Sequence, residues 1–361
     1  MQIDRLHFYL EDAEKWRDWF VGVMGFTAIA GGKNSHTRTE VVRSEKVTFV
    51  LSSPLNRSSP ISTYLDRHPP GIGDVSFCVE NIEYSIDRVI ENGGKILEPI
   101  RQKKFPRGEL KWVKIVSIAN INHTLVERKG ITPLLPEKWL EEKKISSQSS
   151  PIFKGIDHLV LNVPAGDLPA TVNWYQKALG FTRAQDFTIA TEKSKLYSVV
   201  MVHPVSGLQF PVNEPRSRNS QIQEFLDYNR GAGVQHLALK TPGVTKVTKK
   251  LRENGLSFLS VPMTYYEDII KKYPDLNLSA SEWQNIIDCE ILVDSQPDRI
   301  NKNNPKNIPV LLQIFTKPIF NEPTFFFELI ERRDRAKGFG EGNFQALFEA
   351  IEREQMKRGN L

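Results

Sequence analysis

The strongest constraint on this chain is that it is written twice. Ile3-Asp4-Arg5-Leu6-His7-Phe8 matches Ile156-Asp157-His158-Leu159-Val160-Leu161, and Trp19-Phe20 with Gly25-Phe26-Thr27 matches Trp174-Tyr175 with Gly180-Phe181-Thr182. Gly71-Ile72-Gly73-Asp74-Val75-Ser76 aligns with Gly231-Ala232-Gly233-Val234-Gln235-His236, and Glu91-Asn92-Gly93 with Glu253-Asn254-Gly255. The last match is Leu125-Val126-Glu127-Arg128 with Leu329-Ile330-Glu331-Arg332. Self-similarity on this scale means that one structural unit is built more than once. A chain of 361 residues also exceeds what a single core usually fills.

Within a half, the β-branched run from His158 to Val163 reads as a strand, and the amphipathic stretch from Leu168 to Leu179 as a helix closed by Gly180. Tyr197 to Val202, His236 to Lys240, Glu290 to Val293, Pro309 to Phe315 and Thr324 to Ile330 read as further strands. The expected architecture is α+β, with two tandem domains, each of paired βαβββ modules around an open, strongly curved, barrel-like sheet. The domains are expected at 1–130 and 155–361, joined by a linker at 131–154 that contains Pro, Lys, Glu and a Ser-rich patch at 146–150. A second irregular region, 265–307, is too long for a plain loop. The chain closes with a helix over 343–356 that has Phe344, Leu347, Phe348 and Ile351 on one face. Gly338, Gly340 and Gly342 precede it, and it reads as a lid.

Composition narrows the partners. A net charge of +5 is small for this length and is interleaved with acids, which argues against nucleic acid. No apolar run reaches the roughly 18 residues a membrane helix needs. The first residues carry acids where a secretion signal would be apolar, so a cytoplasmic protein with no membrane partner is expected. Two cysteines, Cys78 and Cys289, fit a reducing compartment without a disulfide framework.

The repeat also isolates a ligand set. In the alignment above, His158 stands opposite Arg5, His236 opposite Ser76 and Glu328 opposite Thr124, so all three metal-competent residues fall in the C-terminal half. Two imidazoles and one carboxylate leave coordination positions open, the donor set of non-haem Fe(II) oxygenases. A carboxylate between Phe327 and Leu329 needs a partner, because burying it alone is costly. His7, His36, His68, His123 and His203 lack such positional support and read as structural or exposed.

Longer motifs then carry a resemblance. Gly155-Ile156-Asp157-His158, Phe210-Pro211-Val212-Asn213-Glu214-Pro215, Ser220-Gln221-Ile222-Gln223, Gly231 to Leu239, Leu312 to Pro318, Phe327 to Arg332 and Gly338 to Phe348 occur in order. In these the chain resembles the 4-hydroxyphenylpyruvate dioxygenase family of the vicinal-oxygen-chelate superfamily over nearly its whole length. The resemblance implies two vicinal-oxygen-chelate domains, the second catalytic, with Fe(II) on His158, His236 and Glu328. It implies 4-hydroxyphenylpyruvate and O2 as substrates, homogentisate and CO2 as products, and a homo-oligomer, dimer or tetramer. Catalytic contacts then fall to Asn213, Gln221, Gln235 and Gln313, whose amides suit a phenol because they both donate and accept. Ser198, Pro211, Phe315 and Phe344 match substrate-pocket positions, and Gly340, Asn343 and Phe348 match the closing helix. The family's role lies in tyrosine degradation or in supplying quinone and tocopherol precursors. Alternatives are 4-hydroxymandelate synthase, which takes the same substrate, and a non-catalytic binding module of the superfamily. The divergent N-terminal half and the spacing of 265–307 depart from the family pattern.

Overall fold

In the computed structural model, which describes residues 1–137, 139–143, 150–274, 276, 278–295 and 308–360, the βαβββ pattern occurs twice in each half. The N-terminal half runs β1 (Gln2–Tyr9), α1 (Ala13–Gly22), β2 (Thr27–Lys33), β3 (Thr37–Ser44) and β4 (Val47–Pro54). A short α2 (Pro60–Leu65) leads to β5 (Gly71–Cys78), α3 (Ile82–Glu91), β6 (Lys95–Phe105), β7 (Gly108–Val116) and β8 (Asn122–Gly130). After β9 (Leu140–Glu142), the C-terminal half repeats the order with β10 (Gly155–Asn162), α4 (Leu168–Leu179), β11 (Thr182–Ala190), β12 (Lys195–Val202) and β13 (Gln209–Pro215). Its second module follows α5 (Gln221–Asn229) and comprises β14 (Gly233–Lys240), α6 (Val244–Glu253), β15 (Leu292–Ser295), β16 (Val310–Phe315) and β17 (Phe326–Arg333). Inserted after α6 are α7 (Met263–Lys272) and α8 (Ala280–Asp288), and α9 (Glu341–Arg358) closes the chain.

Each half forms one mixed sheet, ordered β6-β7-β8-β5-β1-β4-β3-β2-β9 and β11-β12-β13-β10-β14-β17-β16-β15. In both, the first strands of the two modules pair antiparallel, β1 with β5 and β10 with β14, and each also pairs in parallel with the last strand of its own module. The helix expected over Leu168 to Leu179 is α4, and Gly180 ends it in the left-handed conformation (φ 74°) that costs glycine least.

One expectation needs correction, and two segments carry more regular structure than their composition shows. The segment between the halves is not wholly irregular, because Leu140–Glu142 adds an edge strand to β2; Ser146 to Ser149 of the Ser-rich patch lie outside the described residues. The region 265–307 carries α7, α8 and β15. α7 buries Tyr266 and Ile269, and α8 opens on a Ser279/Glu282 capping box; residues 296–307 lie outside the described residues. The correction concerns the repeat itself. Arg5 pairs with Ser76 and His7 with Asp74, whereas His158 pairs with Ala238 and Val160 with His236. With His158 in the place of Arg5, the counterpart of His236 is Asp74 and not Ser76. The two alignments differ by two residues, a shift that returns every side chain to the same face of a strand and so escapes any reading of alternation.

The two sheets share a core, and this positions the site. On β17 and the residue before it, Phe325, Phe327 and Leu329 face one way and Phe326, Glu328 and Ile330 the other, as strand geometry requires. Phe327 is fully buried and its ring stacks on Phe49 of β4 (6.1 Å, 27°), while Phe325 meets Phe8 of β1 edge-on (5.4 Å). The N-terminal half thus supplies the apolar backing that fixes β17, and the opposite face presents Glu328.

Candidate metal centre and active site

The ligand candidates stand on the three central strands of the C-terminal sheet. His158 of β10 and Glu328 of β17 are both registered opposite Ala238 of β14, so they share a row with one small side chain between them. His236, two residues before Ala238, lies on the same face in the next row. Their side chains converge: His158 Nε2 is 3.0 Å and His236 Nε2 3.8 Å from Glu328 Oε2. All three are buried, their ligand atoms lie within 4.8 Å of one another, and among the described residues this is the one cluster of its kind.

The surroundings fit a divalent cation. Among the described residues His236 Nδ1 has no hydrogen-bond partner although the ring is buried, stacked 4.8 Å from Phe326. Burial, and then the charge on His158, hold its pKa well below the usual imidazole range. Burial also pushes His158 down, but the carboxylates of Glu328 and Asp157 outweigh it and raise the ring to about 9. The site therefore offers one neutral imidazole, and one imidazole surrounded by negative charge, beside a carboxylate. Such a set gains when a cation replaces the proton.

A polar chain ties the carboxylate to the last helix. Gln313 Nε2 on β16 donates to Glu328 Oε1 (2.9 Å) and to the carbonyl of Phe339 (2.9 Å), and Asn343 Nδ2 of α9 donates to Gln313 Oε1 (2.8 Å). Tyr265 Oη continues the chain to Asn343 Oδ1 at 2.7 Å. Gly340 has φ 74°, and a Cβ there would sit 1.9 Å from Gln313 Oε1, so only glycine fits against the amide that holds Glu328.

A cavity lies above the cluster and is open in part to solvent. Every site residue expected from the sequence lines it: His158, His236 and Glu328; Ser198 of β12; Pro211 and Asn213 of β13; Gln221 of α5; Gln235 of β14; Gln313 and Phe315 of β16; and Gly340, Asn343, Phe344 and Phe348 at α9. Ser198 Oγ and Gln221 Oε1 are buried without a partner among the described residues. Asn213 is held by Asn162 (Nδ2 to Oδ1, 3.2 Å). Gln313, by contrast, is committed to Glu328, Phe339 and Asn343.

Sequence reasoning missed several walls. Phe326 lies two residues before Glu328 on the same face, so period-two spacing would have found it. Phe187 of β11 stacks on Phe344 (4.5 Å, 30°) and Phe339 packs edge-on to His158 (5.2 Å); both follow from strand and helix placement that no local pattern specifies. Tyr265 and Asp157 were not singled out either.

Comparison with known proteins agrees with this picture. Residues 155–271 match the Glyoxalase/Bleomycin resistance protein/Dioxygenase superfamily. Over 99% of its length the chain is 34% identical to the 4-hydroxyphenylpyruvate dioxygenase of Coccidioides posadasii (94% of that protein) and 35% identical to that of Aspergillus fumigatus (93%). It is 33% identical to the protein of the same name from Xenopus tropicalis over all of this chain and 93% of that one. A mutant of 4-hydroxymandelate synthase from Streptomyces coelicolor superposes with a TM-score of 0.82 at 24% identity, covering 98% of both chains, which shows a shared fold.

Proposed function

The chain belongs to the 4-hydroxyphenylpyruvate dioxygenase family, and from that membership we propose that it converts 4-hydroxyphenylpyruvate and O2 to homogentisate and CO2. The reaction is an oxidative decarboxylation coupled to ring hydroxylation with migration of the side chain. One observation carries this reading: two buried imidazoles and a carboxylate converge at an apolar cavity in a chain about a third identical to these dioxygenases end to end. His158, His236 and Glu328 would hold Fe(II), which when bound would supply the redox chemistry of the reaction.

The protein's own part is to bind, orient and keep water out. Phe315, Phe326 and Phe344 flank the substrate ring, with Phe348 fully buried behind them. Ser198 Oγ and Gln221 Oε1 wait for a polar substrate group, and a phenol satisfies them without adding charge. Asn213 and Gln235 complete that polar set. Gln313 acts on the metal side, holding Glu328 and anchoring α9. Pro211 and Asn213 favour ring hydroxylation over the benzylic hydroxylation of 4-hydroxymandelate synthase. We further read residues 1–130 as a metal-free domain, 131–154 as linker and 155–361 as the catalytic domain of a cytoplasmic dimer or tetramer. Its place is tyrosine breakdown or tocopherol and quinone precursor supply. Among the described residues no helix is long and apolar enough to cross a membrane.

The test is anaerobic reconstitution with Fe(II), addition of 4-hydroxyphenylpyruvate and air, and identification of products. Homogentisate and CO2 in equal amounts are expected. 4-Hydroxymandelate would assign the sister activity, and substrate binding without iron or turnover would leave only a binding module.

A further inference from the structure

His158 and His236 are held differently. Among the described residues His236 Nδ1 has no hydrogen-bond partner, whereas His158 Nδ1 lies 3.0 Å from Asp157 Oδ1. Asp157 is itself gripped by Arg332 of β17, Nη2 to Oδ1 at 2.7 Å and Nε to Oδ2 at 2.8 Å, a forked pair that fixes the carboxylate plane. Neither Asp157 nor Arg332 lines the cavity, so neither touches substrate. We propose that Asp157, clamped by Arg332, is the positioning residue for His158, holding the proton on Nδ1 so that Nε2 points its lone pair at the metal position beside Glu328. This rests on the metal reading above.

Two further observations support the assignment. First, the β10–β14 register slips between Ile156 and His158, which makes Asp157 the bulged residue. A bulge re-aims side chains next to functional sites, and this one lets Asp157 reach the ring of its own neighbour while still crossing β14 to Arg332. Second, the N-terminal half contains the same device without an imidazole. Its β1–β5 register slips between Ile3 and Arg5, and Asp4 is gripped by Arg128 of β8, Nε to Oδ1 at 2.9 Å and Nη2 to Oδ2 at 3.0 Å. There the carboxylate's neighbour is Arg5, with which it forms an ion pair. The Asp–Arg clamp is therefore a strand-to-strand fastening in both halves, and in the C-terminal half its spare acceptor capacity sets one ligand. An orienting carboxylate behind a metal-bound imidazole fixes the tautomer and typically strengthens metal binding by about 10–100-fold.

The repeat provides its own control. Co(II) is titrated into the full chain and its affinity read from visible absorbance and chelator competition, for wild type, Asp157→Asn and Asp4→Asn, with thermal unfolding of each protein measured without metal. Asp157→Asn is expected to weaken Co(II) binding by about 10–100-fold and to alter the Co(II) spectrum. Asp4→Asn, which breaks the equivalent clamp, is expected to shift unfolding without changing affinity or spectrum. Equal affinity in wild type and Asp157→Asn, or equal losses in both variants, would overturn the proposal. Wild type that takes up no Co(II) would overturn this proposal together with the functional reading, and so separates the two. Should Asp157→Asn not fold, ¹⁵N-histidine spectra of Zn(II)-loaded wild type decide: a slowly exchanging proton on His158 Nδ1 with Nε2 coordinated is expected, and coordination through Nδ1 would refute it.

Discussion

The N- and C-terminal sheets are the same construction with opposite centres. In each, the first strands of two βαβββ modules pair antiparallel, and an Asp–Arg clamp fastens the first strand to the last. At the equivalent three positions the N-terminal half has Arg5, Asp74 and Thr124, and the C-terminal half His158, His236 and Glu328. The N-terminal set satisfies itself: Asp74 accepts from Ser76 Oγ and Thr124 Oγ1, each at 2.9 Å, and Arg5 pairs with Asp4. In the C-terminal set the Nε2 atoms of both imidazoles converge on Glu328 Oε2, at 3.0 and 3.8 Å. The difference teaches that the fold supplies only the convergence of three strand positions. A metal centre arises where the residues placed there have lone pairs that the protein leaves unspent.

The sharpest way to break the comparison is to exchange its centres. His236→Ala is expected to lower metal affinity and turnover by more than about 100-fold, beyond the loss of an orienting group, because no fourth ligand joins the cluster among the described residues. Asp74→Asn, at the counterpart position, is expected to leave metal content unchanged. Metal analysis after anaerobic reconstitution, with oxygen consumption, reads both; iron lost with Asp74 and retained without His236 would reverse the assignment of the halves.

Next in size is the core that the halves share. Phe327→Ala is expected to destabilise the protein by about 3–5 kcal/mol, the usual cost of removing a fully buried aromatic ring. Phe326→Ala, on the cavity face, is expected to act mainly on substrate affinity. Urea unfolding beside substrate titration distinguishes them, and equal stability losses would show that the two faces of β17 are not divided as described.

Gly340→Ala probes the link between α9 and the carboxylate. Displacing Gln313 by a methyl group misplaces α9 relative to Glu328, and a displacement near 1 Å costs roughly 100-fold in turnover. Metal content should persist. Normal turnover in this variant would mean that the helix is not held to the metal centre through Gln313.

The smallest effect is one of pH and belongs to the N-terminal half. Burial lowers His123 to about 4, although its Nε2 meets Tyr175 Oη at 2.8 Å across the interface between the halves. Unfolding restores a value near 6.5, so between pH 6.5 and 4 the unfolded chain binds the extra proton and stability falls as pH falls. The loss from this group is about 2 kcal/mol between pH 6.5 and 5. Denaturant unfolding at both pH values should show a smaller acid loss in His123→Gln than in wild type; an identical loss would place the acid sensitivity elsewhere.

Much of this was legible in the residues. The repeat, α4 with its Gly180 stop, and the confinement of His158, His236 and Glu328 to one half follow from alternation, periodicity and donor chemistry, which are local properties of the chain. What failed was register. The glycine pair Gly71/Gly73 matches Gly231/Gly233 residue for residue, yet in space Gly71 stands where Gly233 does, each opposite the last residue of its partner strand. A slip of two preserves every inward and outward side chain, so hydrophobic pattern cannot detect it; only the hydrogen-bonded pairing with β1 and β10 decides. The Asp157–Arg332 clamp, the Phe187–Phe344 stack and the Gln313–Asn343–Tyr265 chain were hidden for the same reason. Their partners come from strands and helices far apart in sequence, and no short-range preference encodes a distance across a sheet. The sequence by itself determined which residues could bind a metal and which face of each strand they occupy. Only the tertiary structure decided which lone pairs are already spent on neighbours and which remain for a ligand, because that depends on three-dimensional proximity.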